Sequence, residues 1–145
     1  MAWVRLRVQI PASPFLFVKK SMKKINQLIE LVKKCRENCP WCKEQTVETF
    51  LKHVISEAEE LKEALKSKNK EDIKGEIGDL VWDSIMLLHV AKHMGIEPDD
   101  VIDSVNKKMM RRKPYIVTGQ KVTIQEDEQI WKEAKEQEKK KRILF

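Results

Sequence analysis

The sequence predicts an all-α protein, a helical bundle built on an antiparallel pair of helices. One reason is that residues which interrupt regular structure are scarce, with four glycines and five prolines among 145 residues. The other is that apolar residues recur at intervals of three and four along most of the chain, which places them on one face of a helix. The length fits one domain, and apolar residues, at 41%, are numerous enough to form its core.

The net charge of +6 comes from the N-terminus. Residues 1–24 carry six basic residues and no acidic one, so the rest of the chain sums to zero. A basic face that would bind a nucleic acid is therefore not predicted. No apolar run reaches the roughly 18 residues that a membrane span needs, so a membrane partner is not expected either.

Residues 1–21 are predicted to be an N-terminal extension, and three interpretations of it remain open. It is basic and free of acids, as organelle transit peptides are. Alternatively, translation starts at Met22, where the helical pattern begins. The third interpretation is an edge strand, because apolar and polar residues alternate from Val4 to Ile10.

The helices are predicted in order from Met22. The first ends before the turn at residues 39–42, because the residue before Pro40 avoids helical backbone angles. The second begins after Thr46, a suitable N-cap, and ends near Ser67. Its predicted core stripe consists of Val47, Phe50, Leu51, Val54, Ala58, Leu61 and Leu65.

The third helix follows a polar turn at residues 67–70 and ends near Met94, where Gly95 occupies a C-cap position. Apolar residues occur on nearly every side of it from Ile77 to Ala91, which predicts a central, buried helix. One hairpin with short partners cannot cover so much apolar surface. We therefore expect a homo-oligomer, a dimer or larger, to complete the bundle.

The remaining elements are shorter or more polar. The fourth helix begins at Pro98 and ends near Arg112, before Pro114. Residues 115–124 alternate weakly in polarity, which predicts a loop or a small hairpin. A last, charged helix is expected over about residues 126–141.

Four carboxylates carry the functional prediction. Glu57 and Glu60 share a face of the second helix because they are three residues apart. Glu76 and Asp79 share a face of the third for the same reason. The two pairs lie at equal distances from Lys68, so a hairpin about that residue brings all four to one height. Four like charges there repel, and a hard divalent cation such as Mg²⁺ removes the repulsion. The hairpin is therefore predicted to carry a four-carboxylate metal site.

Other uses of these residue types are disfavoured. The alternative for the four carboxylates is a set of ion pairs with nearby lysines on a surface hairpin. A di-iron site usually needs Glu-x-x-His, and neither pair has a histidine in that place. His89 and His93, four residues apart, lack an evident third ligand and are interpreted as ordinary helix residues.

The cysteines give a weaker signal. Cys35, Cys39 and Cys42 are an odd set with no second pair to complete a zinc site. The Cys39-x-x-Cys42 turn permits a thiol-redox function, but that function needs a surrounding strand–helix unit, and none is visible. Packing of the turn is the favoured interpretation, in a reducing, cytoplasmic compartment.

The stretch from Cys39 to Val117 resembles a MazG-type nucleoside triphosphate pyrophosphohydrolase domain of the all-α NTP pyrophosphatase superfamily. Four segments carry the resemblance, CPWCKEQT at 39–46, SEAEE at 56–60, GEIGDL at 75–80 and KMMRRKP at 108–114. They are similar to the family's CPWDKEQT, EExxE, ExxD and KxxRRHP. Trp131 and Lys135 fit its later W-x-x-x-K pattern.

The resemblance implies Mg²⁺-dependent hydrolysis of nucleoside triphosphates to a monophosphate and pyrophosphate, with Mn²⁺ as an accepted substitute. It implies a MazG-like helical domain over 22–117, and a loop and charged helix over 118–145 that complete the nucleotide site. The implied metal ligands are Glu57, Glu60, Glu76 and Asp79. The implied catalytic residues are Glu57, Glu60, Lys108 and Arg112. The implied substrate contacts are His53, Lys108, Arg112, Trp131 and Lys135. The family's single-domain members are homo-oligomers.

The sequence departs from the family pattern at four places. Cys42 replaces an aspartate, Lys113 replaces a histidine, and Asp83 stands where glutamine is common. Ser56 replaces the first glutamate of EExxE, which leaves open the group that deprotonates the attacking water.

Three alternatives to this function remain. A related enzyme of the superfamily would cleave phosphoribosyl-ATP, dUTP or dCTP with the same carboxylates. A non-catalytic nucleotide-binding regulator would bind Mg²⁺ and nucleotide without releasing pyrophosphate. A helical interaction module would bind no metal at all. Base and sugar preference are not predicted.

Overall fold

The computed structural model describes residues 12–143, with side chains for residues 22–140. The chain divides into two compact units, an N-terminal unit (Met1–Met94) and a C-terminal unit (Gly95–Phe145). Regular secondary structure in the described residues is entirely helical, so the all-α prediction is confirmed. Among these helices, none combines the length and the apolar character required to cross a bilayer.

From residue 12 onward, where the structure describes it, the N-terminal unit contains four α-helices and ends in a 3₁₀ turn. They are α1 (Ala12–Asn38), α2 (Pro40–Glu44), α3 (Val47–Ser67), α4 (Lys70–Val90) and the 3₁₀ turn Ala91–Met94. Helix α1 begins before the predicted start at Met22, so the predicted boundary at residue 22 lies inside a helix. The predicted strand from Val4 to Ile10 lies outside the described residues. The predicted turn at residues 39–42 is instead mostly the short helix α2, since a proline fits the first helical position.

Local hydrogen bonds and one left-handed residue fix the start of α3 and both ends of the turn that separates α3 from α4. Thr46 caps α3, and its Oγ1 accepts from the backbone N–H of Thr49 at 3.3 Å. Lys68 has a left-handed backbone (φ 57°) that ends α3. Asn69 caps α4, and its Oδ1 accepts from the N–H of Glu71 at 3.0 Å. Because the turn is so short, α3 and α4 pack against each other as the predicted hairpin.

The core of this unit lies around α4, which packs against both α1 and α3. Its buried members are Val32, Cys42, Phe50, Met86 and Val90. The core stripe predicted for α3 is only partly buried, because Leu51 is 45% exposed and Leu65 is 56% exposed. On α4, Ile77 and Val81 are 50% and 45% exposed, so the prediction that this helix is buried is wrong for one of its faces. The predicted homo-oligomer would cover these side chains and stays a prediction.

Up to residue 143, the last one described, the C-terminal unit contains three α-helices. They are α5 (Pro98–Arg112), α6 (Pro114–Thr118) and α7 (Ile124–Ile143), and α5 packs against the other two. The small hairpin considered for residues 115–124 is wrong. Pro114 starts a short helix there, and Gly119, with φ 73°, ends it. Thr123 then caps α7, because its Oγ1 accepts from the N–H of Glu126 at 3.3 Å.

Candidate metal and nucleotide site

Three of the four predicted metal ligands come together on the α3–α4 hairpin. One carboxylate oxygen from each of Glu57, Glu76 and Asp79 lies within 4.8 Å of the other two. Glu57 is on α3, whereas Glu76 and Asp79 are one turn apart on α4. We refer to these side chains as the three-carboxylate group.

Glu60, the fourth predicted ligand, lies outside the three-carboxylate group. Its Oε1 accepts a hydrogen bond from the hydroxyl of Ser56 at 3.3 Å. Glu60 and Glu76 nevertheless line the same open cavity of about 530 Å³. Ser56, which stands where the family pattern has a glutamate, therefore contacts the carboxylate of Glu60, one helical turn later.

Asp83 adds a buried carboxylate on α4, one turn beyond Asp79. It is 7% exposed, and its Oδ2 has no hydrogen-bond partner among the described residues. Burial raises the pKa of its carboxyl, while the nearby His53 lowers it and Asp79 raises it. An unpartnered, buried carboxylate oxygen is costly, and a bound water or ion is one of the arrangements that satisfies such an atom.

The electrostatics of the hairpin favour a bound cation. Burial raises the pKa of Glu57, and the charges of Glu60, Asp83, Asp79 and Glu76 raise it further. All of these donors are carboxylate oxygens, which Mg²⁺ and other hard cations prefer. The residues present therefore fit a divalent cation.

His53, the predicted substrate contact on α3, lies in an aromatic cluster. Its ring is 4.8 Å from that of Trp41, edge to face, and 5.8 Å from that of Phe50. Trp41 is 49% exposed, so part of its ring is open to solvent. The sequence placed Trp41 in a family motif without assigning it a role.

Two of the predicted substrate contacts meet in the C-terminal unit. The guanidinium carbon of Arg112 lies 4.9 Å from the ring centroid of Trp131. Arg112 also donates from Nε and Nη2 to the carboxylate of Glu138, at 3.2 and 2.6 Å. Arg111 binds the same carboxylate from the exposed side. Hydrogen bonds from Arg112 and then Arg111 lower the pKa of Glu138 to about 2.

A second ion pair lies beside Trp131. Lys113, which replaces the family's histidine, donates to the two oxygens of Asp127 at 2.6 and 2.7 Å. The hydroxyl of Tyr115 donates to Asp127 at 2.6 Å. These hydrogen bonds lower the pKa of Asp127, with the bond from Lys113 the largest cause. The ammonium of Lys113 is also 5.3 Å from the Trp131 ring centroid.

The other two predicted phosphate contacts lie on the same helices. Lys108 is half-buried on α5, one turn before Arg112, and Lys135 is exposed on α7, one turn after Trp131. Sequence reasoning missed Glu138. The sequence could have indicated this residue, because the spacing of Trp131, Lys135 and Glu138 places all three on one face of α7.

Comparison with known proteins identifies relatives of this chain. Residues 45–117, about half of the chain, match the MazG nucleotide pyrophosphohydrolase domain. A nucleoside triphosphate pyrophosphohydrolase of Mycolicibacterium smegmatis is 30% identical over 115 residues, covering 77% of this chain and 36% of that protein. Its namesake in Escherichia coli K12 is 28% identical over 99 residues, covering 66% of this chain and 38% of that protein. The chain thus spans less than two fifths of the length of either relative.

A solved structure extends the likeness to the fold. The crystal structure of a mazG-related protein from Thermotoga maritima has a TM-score of 0.72 and 35% sequence identity. The match covers 77% of this chain and 98% of that chain. The region that matches the family contains the α3–α4 hairpin with its three-carboxylate group. This chain therefore belongs to the MazG nucleotide pyrophosphohydrolase family.

Proposed function

We propose that this chain hydrolyses nucleoside triphosphates to a nucleoside monophosphate and pyrophosphate, with Mg²⁺ bound by the α3–α4 hairpin. The observation that carries the proposal is the convergence of carboxylate oxygens from Glu57, Glu76 and Asp79. The names of the relatives from Mycolicibacterium smegmatis and Escherichia coli support the same reaction.

The three-carboxylate group would hold the cation, with Glu60 as a fourth ligand and Mn²⁺ as an accepted substitute for Mg²⁺. A bound divalent cation neutralises phosphate oxygens and makes a coordinated water easier to deprotonate. Asp83 lies one turn beyond Asp79 on α4. Burial raises the pKa of Glu57, and the charge of Asp83 raises it further.

The cationic side chains of the C-terminal unit would bind the phosphate chain. Arg112 uses Nε and Nη2 to bind Glu138, which leaves the hydrogens of Nη1 for phosphate oxygens. Because Glu138 and Trp131 fix the guanidinium on two sides, little ordering is needed when the substrate binds. Lys108 and Lys135 would add point charges, and Trp131 and His53 would lie near the nucleotide.

The reaction needs a nucleophile, a leaving group and a proton acceptor. The oxygen of a water molecule would attack the α-phosphorus, and the bond from this phosphorus to the oxygen bridging to the β-phosphorus would break. That oxygen leaves with its electron pair as part of pyrophosphate, whose charge the cationic groups stabilise. Glu60 is suited to take the water's proton, because it lies outside the three-carboxylate group and Ser56 holds it in place.

Glu60 thus has two candidate roles that one variant separates. If Glu60 is mainly a ligand, Glu60→Gln weakens Mg²⁺ binding and turnover together. If it is mainly the base, Glu60→Gln lowers kcat, while the Mg²⁺ dependence of thermal unfolding stays as in the wild type.

Pyrophosphate release tests the proposed function. The purified chain is incubated with each ribonucleoside and deoxyribonucleoside triphosphate, and with phosphoribosyl-ATP, in the presence and absence of Mg²⁺. We expect equal amounts of monophosphate and pyrophosphate from at least one nucleoside triphosphate, only with Mg²⁺ or Mn²⁺. Tight binding of Mg²⁺ and nucleotide without pyrophosphate would contradict the proposal and indicate a regulator. Cleavage of phosphoribosyl-ATP alone would move the substrate to a related class.

A further inference from the structure

The junction of α1 and α2 brings three thiols together, away from the residues used above. The sulfur atoms of Cys35, Cys39 and Cys42 all lie within 4.8 Å of one another, and those of Cys35 and Cys42 are 3.4 Å apart. We call these three side chains the thiol cluster.

Backbone geometry explains why the three thiols converge. The N–H of Cys39 donates to the carbonyl of Cys35 at 2.8 Å, so these residues lie one helical turn apart. Cys39 then takes an extended conformation, and Pro40 starts α2. The N–H of Lys43 donates back to the carbonyl of Cys39 at 3.1 Å. This tight reversal brings Cys42 close to the end of α1. Cys35, Cys39 and Cys42 thus converge although they stand at positions i, i+4 and i+7 of the sequence.

Burial gives the thiol cluster a closed side and an open side. Cys42 is 5% exposed and packs in the core with Val32 and Phe50. Cys35 and Cys39 are half-buried. The cluster is therefore partly shielded from water and still reachable from it, which a site that loads an ion from solution requires.

We propose that the thiol cluster binds one thiophilic metal ion through three thiolates, with Cu(I) as the best fit. Soft sulfur donors select Cu(I) and Zn(II) over hard cations. An ion at the centre of three sulfurs, with bonds of about 2.3 Å, holds those sulfurs about 4 Å apart, which is within the spacing found here.

The number of donors separates Cu(I) from Zn(II). Structural zinc takes four protein ligands, whereas Cu(I) is satisfied by three thiolates. Within the part of the chain that the structure describes, no histidine or carboxylate joins the three sulfurs in one ligand group. The donor set therefore matches Cu(I) and leaves Zn(II) one ligand short.

The guanidinium of Arg36 is suited to balance the negative charge that the thiolates carry when they bind Cu(I). Each of the three thiols releases a proton to solvent when it binds, so a Cu(I) tris-thiolate carries two negative charges. Arg36 follows Cys35 and donates from Nη2 to the carbonyl of Gln45, at the end of α2, at 3.3 Å. Its Nη1 is buried and has no hydrogen-bond partner among the described residues. Arg36 thus supplies positive charge at the same helix junction.

Competition with a chromophoric Cu(I) chelator tests the site. The reduced, full-length chain is titrated with Cu(I) and bicinchoninate under anaerobic conditions, and X-ray absorption at the copper edge identifies the donors. We expect one Cu(I) per chain, three sulfur donors, and weaker competition by Zn(II). Cys35→Ser and Cys39→Ser should each lower the Cu(I) affinity by at least about 10²-fold. Both positions are half-buried, and circular dichroism verifies that the variants remain helical.

The histidine pair on the C-terminal side of α4 provides the matched control. His93 is exposed, and its Nδ1 lies 2.6 Å from the carbonyl oxygen of Val90. His93→Asn should bind Cu(I) as the wild type does. Wild-type affinity in both cysteine variants, nitrogen or oxygen donors at the copper, or tighter binding of Zn(II) would overturn the proposal. A Cys35–Cys42 disulfide that persists in the presence of reductant would also overturn it.

Discussion

The α3–α4 hairpin gathers carboxylates around one another, whereas the C-terminal unit gives its carboxylates cationic partners. On the hairpin, burial raises the pKa of Glu57, and the neighbours that raise it further are themselves acids. In the C-terminal unit, Glu138 binds two arginines, and Asp127 binds Lys113 and Tyr115. The pKa values accordingly move in opposite directions, up for Glu57 and Asp83 and down for Glu138 and Asp127.

The difference separates like charges that lie close together without a cationic partner among the described residues from charges that ion pairs already neutralise. Repulsion among like charges on the hairpin costs stability, and a cation would reverse that cost. The ion pairs of the C-terminal unit instead order side chains that the substrate would then contact. The hairpin should therefore respond strongly to Mg²⁺, and the C-terminal unit should determine how firmly the phosphate chain is held.

The largest effect is expected from removing one charge of the three-carboxylate group. Glu76→Gln keeps the side chain's shape but loses a ligand charge, so kcat/KM should fall by about 10³-fold or more. Glu63→Gln is the matched control, because Glu63 lies on α3 and its partner is the exposed Lys66, at 2.6 Å. That variant should retain nearly full activity. Similar activity in the two variants would break the distinction between ligand and surface carboxylates.

The next effect concerns the two arginines that share Glu138. Arg112 is 17% exposed and lies against Trp131, whereas Arg111 is 51% exposed. We expect Arg112→Ala to lower kcat/KM by about 10²-fold or more with the fold intact, since it removes a charge-assisted contact to a phosphate group.

Arg111→Ala serves as the control for that prediction. The variant removes one cationic partner of Glu138 but leaves the contact between Arg112 and Trp131. We therefore expect kcat/KM to change by less than about tenfold. Equal losses in the two variants would indicate that both arginines act only by neutralising Glu138.

A smaller effect, on stability, has opposite signs in the two units. The pKa of Glu138 is lowered to about 2 from 4.5, so its stabilising contribution is complete above about pH 4.5 and is lost as the pH falls toward 2. The pKa of Asp83 is raised from 3.8 by burial and by Asp79, against the effect of His53. The protonated carboxyl of Asp83 therefore contributes fully to the stability of the fold below pH 3.8. That contribution is lost as the pH rises through the raised pKa.

Thermal melting without Mg²⁺ across this pH range measures both contributions. Glu138→Gln should be less stable than the wild type at neutral pH, with the difference closing toward pH 2. Asp83→Asn should be at least as stable as the wild type at neutral pH, with any gain vanishing in acid. Parallel pH profiles for the two variants would show that their carboxylates do not differ in the way described.

The smallest effect on turnover is expected at the exposed apolar face of the hairpin. Ile77 and Val81 are about half exposed on α4, and a homo-oligomer would cover them. Light scattering at micromolar concentration should give a dimer or larger species, and Ile77→Glu should shift the mass downward. A wild-type monomer would contradict the predicted assembly.

The sequence predicted the elements that local chemistry controls. The cap at Thr46, the turn at residues 67–70 and the helix start at Pro98 follow from backbone preferences, and the structure confirms them. Gly95, with φ 73°, follows the end of the helical stretch as predicted, but the α-helix itself ends at Val90 and the last four residues form a 3₁₀ turn. Short helices were harder, because a five-residue helix such as Pro114–Thr118 depends on packing rather than on periodicity.

In the candidate site too, the features that local structure controls were predictable, and those that depend on side-chain contacts were not. The approach of Glu57, Glu76 and Asp79 follows from helix periodicity and a short turn, and it was predictable. The position of Glu60 was not, because its carboxylate accepts a hydrogen bond from Ser56 on the same helix and lies outside the three-carboxylate group. Arg112 and Glu138 are 26 residues apart, so the spacing of residues along α7 indicates the face on which Glu138 lies but not its partner on α5. The thiol cluster had a signal in its i, i+4, i+7 spacing, although a helix junction was needed to close it.

Mg²⁺ titration against thermal unfolding tests the central claim, that the carboxylates of the α3–α4 hairpin form a cation site. A cation that binds only the folded chain stabilises it by about 2.7 kcal/mol at 100 times its dissociation constant, which raises Tm by several degrees. We expect this rise in the wild type and in Glu63→Gln, and little or no rise in Glu76→Gln. Equal Mg²⁺ responses in Glu76→Gln and Glu63→Gln would contradict the account.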